Sequence, residues 1–176
     1  MRNRLFFLLV SLVAASVVTA SALAHDSGSA GPCSSGNVTK TASYVLSLGI
    51  GSPEEMYLPS EVKARHLKTG EVMLGGEMAM IGHVPAGTKA YHLEVHICNR
   101  AGAVVTKLKP TIDVDDALVS MKMTHISVAI MQGVGEGIED YHYGNEVTLT
   151  PGHRITVTVV VKGERAVFHA TVPKRS

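Results

Sequence analysis

Tryptophan is missing from this chain, and three phenylalanines with five tyrosines leave it poor in aromatics. Its core must therefore rest on Val, Leu, Ile, Met and Ala. A large excess of charge of one sign is lacking as well: 16 basic against 15 acidic side chains give a formal net charge of +1. That balance provides no electrostatic footprint for nucleic acid or an anionic membrane surface. No apolar run after the first 24 residues approaches the ~20 residues of a membrane-spanning helix. Motifs of hydrolytic catalysis are missing too. The chain has no Gly-x-Ser-x-Gly elbow and no His-Glu-x-x-His helix, so no enzyme is expected. Only two cysteines occur, Cys33 and Cys98.

The N-terminus has the pattern of a secretory leader. Arg2 and Arg4 precede an apolar run from Leu5 to Val18, and Ala22-Leu23-Ala24 forms a small-residue cleavage site. Cleavage after Ala24 is expected, with the product exported to the periplasm. Losing the two arginines changes the net charge from +1 to −1. A disulfide between Cys33 and Cys98 is permitted in such a compartment. The sequence leaves the bridge and two free thiols equally open, because bridging depends on geometry. Residues 25–39, rich in Ser, Gly and Asn around Pro32, read as a flexible lead-in to one domain over 40–176.

Within that domain the dominant signal is alternation. Thr41–Ile50, Tyr91–Cys98, Ser120–Met131 and Arg154–Val161 each alternate, and Lys162-Gly163-Glu164-Arg165 makes a hairpin into Ala166–Val172. Ala103–Leu108, Pro110–Val114 and Glu146–Leu149 supply shorter strands. Glu54–His66 carries helix formers, with acidic residues suited to a helix start and Pro59 as an interruption. These features predict an all-β fold: an antiparallel, Ig-like β-sandwich of about seven to eight strands with one short helical segment.

The chemistry concentrates on Tyr91–Cys98. Leu93, Val95 and Ile97 form its buried face, leaving His92, Glu94 and His96 together on the other. Three ligands on one strand span about 13 Å, too far to close on one ion with bonds near 2 Å. Two of them need further ligands from elsewhere, and Met131 and His142 are the nearest candidates across the sandwich. Met78 and Met80, beside Gly75-Gly76 and close to His83, are additional candidates for a soft copper ion. His66, His125, His153 and His169 are expected at the surface or in packing roles.

His92-Leu93-Glu94, a later methionine and His142-Tyr143-Gly144-Asn145 together resemble the periplasmic high-affinity iron-transport family. Its members are dimeric, Ig-like proteins that bind iron or copper beside Ftr-type iron permeases. The resemblance spans roughly residues 91–172 and implies the ligand set His92, Glu94, Met131 and His142, with a further histidine from a dimer partner. Here Met131 stands farther from His142 than in that family. Pro151-Gly152-His153 replaces the loop that carries the partner ligand, so His83, Met78 or Met80 would substitute for it. His96 occupies a position where the family carries a carboxylate. The resemblance implies an exported, metal-binding homodimer that holds copper or iron, with zinc as a surrogate, for uptake, buffering or delivery to a membrane permease. The competing expectation is a structural or interaction β-sandwich without metal.

Overall fold

Alternation along the chain is realised as eleven strands among the described residues, which in this computed structural model are 31–79, 81–82, 84–118, 121–123 and 125–174. The expected leader, Met80 and His83 lie outside them. In chain order the elements are β1 (Asn37–Lys40), β2 (Tyr44–Gly51), β3 (Met56–Tyr57), α1 (Pro59–Arg65), β4 (Glu71–Gly76), β5 (Lys89–Asn99), β6 (Thr111–Asp116), β7 (Met121–Met123), β8 (Ala129–Gly133), β9 (His142–Leu149), β10 (Arg154–Val161) and β11 (Glu164–Thr171). A 3-10 turn, Ile138–Asp140, precedes β9. One sheet has the order β1-β2-β5-β9-β8-β4-β3 and the other β11-β10-β6-β7. The fold is thus an all-β sandwich, antiparallel except for the β3–β4 pair.

The core forms where the two sheets face each other. Leu93, Val95 and Ile97 of β5 are fully buried there, with Tyr91, Leu46, Tyr143 and Leu149 from the same sheet. Ile112, Val114, Val157, Val159 and Phe168 meet them from the second sheet. Each such side chain stabilises the fold by about 1.5–3 kcal/mol through burial.

Several local expectations shift. Asn37–Lys40, at the end of the expected lead-in, pairs with β2 from Asn37↔Leu48 to Lys40↔Val45. Pro59 begins the helix instead of interrupting it, since proline at the first helical position loses no intrahelical bond. Glu61 secures that start by accepting the Leu58 N–H at 2.8 Å. Ser120–Met131 is not one strand. β7 belongs to the second sheet and β8 to the first, and the chain turns between them at His125, where φ is 56°. Ala103–Leu108 forms no strand, only an isolated bridge from Val104 to Cys98.

One connection shapes the larger sheet. Residues 52–55 link β2 to β3, which stand second and seventh in its strand order. In a flat sheet five spacings would separate these strands by about 24 Å, while five extended steps of chain reach about 17 Å. The sheet must therefore curl. Along the crossing, the Glu54 N–H donates to Glu146 Oε1 of β9 at 3.0 Å. The Glu71 N–H of β4 donates to the Glu55 carbonyl at 2.9 Å.

Cys33 and Cys98 are joined in a disulfide, with Cα atoms 6.1 Å apart, within the usual bridging range. Near it, Ser47 Oγ donates to the Pro32 carbonyl at 2.7 Å. The bridge closes a loop across a sequence separation of 65, and chain entropy sets its contribution at about 4 kcal/mol. Replacing both cysteines with serine should lower the unfolding free energy by an amount of that order. Urea denaturation followed by far-UV circular dichroism measures it, and an unchanged midpoint would contradict this account.

Candidate metal centre

The curl encloses the sheet face that points away from the core. β5 places His92, Glu94 and His96 on it. Register adds Glu146 opposite His92, and Gly144 opposite Glu94. Met131 of β8 stands opposite His142, and Met73 of β4 stands opposite Met131. His142 thus comes from a strand adjacent to β5 in the same sheet, not from across the sandwich. The strand expected at Glu146–Leu149 begins earlier, at His142, so the motif forms the first half of β9.

Each residue of His142-Tyr143-Gly144-Asn145 has a distinct task. His142 points into the enclosed face, its side chain 1 % exposed. Tyr143 points into the core, where its hydroxyl donates to the Val105 carbonyl and accepts the Leu108 N–H, both at 3.0 Å. At Gly144 a Cβ would overlap the Leu93 carbonyl oxygen, so only glycine permits this approach of β9 to β5. Asn145 Nδ2 donates to the Glu77 and Ser127 carbonyls, and its Oδ1 accepts the Ala79 N–H. That clamp holds the segment carrying half-buried Met78.

Among the described residues, two groups of ligand-type side chains converge, and both contain His142. In Glu71, His92 and His142 one ligand atom from each lies within 4.8 Å of the others, and the same holds for Glu94, His96 and His142. The first group is fully enclosed: His92 Nε2 lies 3.2 Å from His142 Nε2, and Glu71 Oε2 lies 3.8 Å from the latter. The second is more open, with His96 Nε2 3.8 Å from Glu94 Oε2. Sequence reasoning missed Glu71. Nothing local marks it, because it stands three strands from β5 and approaches only through the curl.

The histidines are oriented from behind. His142 Nδ1–H donates to the Asp140 carbonyl at 2.7 Å, and His96 Nδ1–H to the Tyr141 carbonyl at 3.2 Å. A carbonyl only accepts, so each Nδ1 carries the proton and each Nε2 is left as the outward-facing nitrogen. His92 Nδ1 lies 3.4 Å from Glu146 Oε1, beyond an ordinary hydrogen bond. Such backing of imidazoles is typical of metal-ligating histidines.

Electrostatics separates the members. Burial, reinforced by Asp140 and Glu54, pushes the Glu71 carboxyl up to about 8. Burial also holds His142 below the usual imidazole range, despite the bond to Asp140. At His92 burial acts downward, but Glu146, Glu94 and Glu71 outweigh it and raise the imidazole. The neighbouring His96 lowers Glu94, against its own burial. The directions at His92 and His142 agree with their contact, in which His92 Nε2–H donates to the bare Nε2 of His142. Glu71 Oε2 and His92 Nδ1 are buried without a hydrogen bond to any described residue. Buried polar atoms are rarely left so.

A buried group of this composition could hold a metal ion. Metal–nitrogen bonds of 2.0–2.1 Å at a tetrahedral angle separate two ligand nitrogens by about 3.3 Å, close to the observed 3.2 Å. Elsewhere, His153 Nδ1 meets buried Asp116 Oδ2 at 2.8 Å, and His125 Nδ1 meets Asp113 Oδ1 at 3.1 Å. Comparison with known protein families, curated proteins and solved structures gives no match.

Glu71 yields a stability prediction. Its folded value of about 8 lies above the ordinary carboxyl value of 4.5, so the unfolded chain releases this proton first. Stability from the neutral carboxyl is complete below the unfolded value and is lost as pH rises toward 8. Glu71→Gln removes that dependence. The metal-free variant should match the parent near pH 5 and melt increasingly above it toward pH 8, as followed by thermal denaturation in chelator. A melting difference that stays constant with pH would contradict the assignment.

Proposed function

We propose that this protein is an exported binder of a single transition-metal ion, held by Glu71, His92 and His142 with Met131 adjacent. The observation that carries the reading is the 3.2 Å approach of the two Nε2 atoms, beside a buried carboxylate oxygen with no hydrogen bond. Two imidazoles and a carboxylate suit Cu²⁺, Zn²⁺ or Fe²⁺, and a neighbouring thioether favours copper among them. Cross-strand partners have Cβ atoms about 4.5–5.5 Å apart, so Met131, fully buried opposite His142, is within reach as a further ligand.

Compartment and role rest on other supports. The leader pattern and the Cys33–Cys98 disulfide are compatible with an oxidising exterior such as the periplasm. The resemblance of the His-Leu-Glu and His-Tyr-Gly-Asn motifs to iron-transport proteins supports copper or iron as cargo. It also supports a homodimer and a membrane permease as partners. Holding and release, not turnover, suit a site whose ligands are buried, with His142 backed by the Asp140 carbonyl.

Isothermal titration of the purified chain with Cu²⁺ should show one ion per chain. His142→Ala should weaken binding by more than about 100-fold, because tuning residues behind ligands alone are worth about 10–100-fold. Ligation by Glu71 requires loss of the proton it keeps up to about pH 8. Apparent affinity should therefore rise about tenfold per unit between pH 6 and 8 from this carboxyl alone, with proton release on binding. An unaltered affinity in His142→Ala, or no binding of Cu²⁺, Zn²⁺ or Fe²⁺, would refute the proposal.

A further inference from the structure

His142 is shared by two ligand groups that differ in access to solvent. Its ring lies 5.4 Å from that of His92 and 5.5 Å from that of His96, nearly equidistant from the two. On one side, the His92 and Glu71 side chains are 0 % and 6 % exposed. On the other, His96 and Glu94 are 12 % and 25 % exposed. The Glu94 carboxylate lies along β2, where a Cβ on Gly49 would come within 3.3 Å of Oε2 and one on Gly51 within 3.6 Å of Oε1. Two glycines thus leave room for this carboxylate at the more open end of the face.

Only one nitrogen of His142 is free to ligate, since its Nδ1–H is committed to the Asp140 carbonyl. One imidazole lone pair serves one ion. The two groups therefore cannot both be filled through His142, and an ion that moves from one to the other can remain bound to His142 throughout.

We propose that Glu94 and His96 form a receiving station, from which a divalent cation passes along His142 to the enclosed Glu71–His92 pair. The proposal rests on the metal-binding reading above and adds a route to it. Glu94 and His96 attract the cation and replace part of its water shell. His142 then exchanges these partners for His92 and Glu71 without releasing the ion. No covalent or redox step is involved. The ion sheds water first where water is still near, so the fully buried pair never meets a hydrated cation directly. It also assigns the third ligand-type residue of the β5 face a purpose.

The test is stopped-flow uptake of Cu²⁺, with Co²⁺ visible absorption reporting the ligand set, on the parent, the Glu94→Gln/His96→Gln double variant and Glu71→Gln. The double variant should still bind one ion per chain, with affinity within about threefold of the parent and association slowed about tenfold or more. Glu71→Gln should keep the fast uptake phase but release the ion about tenfold faster. Should the double variant not fold, His96→Gln alone supports the same comparison, because that side chain is partly exposed and lies outside the hydrophobic core. Unchanged association in the variant would overturn the route. So would loss of equilibrium binding in the double variant with Glu71→Gln silent, because the open pair would then be the resting site. Two ions bound per chain would overturn the sharing of His142. Absence of any binding by the parent would instead sink the metal-binding reading itself.

Discussion

The four residues between β2 and β3 constrain everything that follows. They are too few to cross a flat seven-stranded sheet, so the sheet closes on the face that carries β5's polar side chains. The curl brings Glu71 of β4 to His92 of β5, although two strands separate them in the hydrogen-bonding order. The same crossing lets the Glu54 N–H donate to Glu146 Oε1 and so helps fix that carboxylate behind His92. A longer connection would permit a flatter sheet, and the polar face would then be an ordinary solvated surface. The disulfide acts at the other end of β5, tying Cys98 to the segment that leads into β1.

Enclosing that face has an electrostatic cost. Buried charge is tolerated only when paired and hydrogen-bonded. Here the chain answers in part by moving protons: Glu71 is held neutral well above the ordinary carboxylate range, and His142 is held neutral below the ordinary imidazole range. At His92 and Glu94 the charged forms are favoured instead, each by the opposite charges of its neighbours. A cation among Glu71, His92 and His142 would take over the role of those protons and satisfy the Glu71 oxygen. Stability of the metal-free chain and affinity for an ion then pull in opposite directions at one carboxyl, the trade-off expected where a site is kept for function.

How far the sequence discloses this depends on whether a feature is local. Alternation located β2, β5, β10 and β11, because a strand with one face in the core records its own orientation. It also separated His92, Glu94 and His96 from Leu93, Val95 and Ile97. The His142-Tyr143-Gly144-Asn145 cluster was visible as a motif, but its division of labour was not. The Gly144 requirement lies in the Leu93 carbonyl, and the Asn145 partners lie at Glu77, Ala79 and Ser127. Ser120–Met131 alternates throughout and yet serves two sheets, since periodicity does not show where a chain changes layers. Glu71 was illegible for a related reason. Its contribution arises from a connection length and a strand order, neither of which leaves a mark on the residue itself.

Glycine placement bears on whether this face is kept for packing or for binding. Gly49 and Gly51 on one neighbour of β5, and Gly144 on the other, surround Glu94 in the register. Glycine inside a strand is unfavourable by roughly 0.5–1 kcal/mol relative to alanine, and each forgoes a side chain that could pack. Gly144 is compelled by the Leu93 backbone, so it is explained by the fold alone. Gly49 and Gly51 are not compelled in that way. A Cβ at either would meet only the Glu94 side chain, nearest at 3.3 and 3.6 Å, and a turned side chain would relieve the closer carboxylate contact. A sheet optimised for stability would fill these positions with β-branched residues and dispense with the carboxylate. Breaking the strand rule twice beside one acid, on a face already costly to enclose, is the kind of local inconsistency expected of a face kept for binding, as proposed above, rather than for packing.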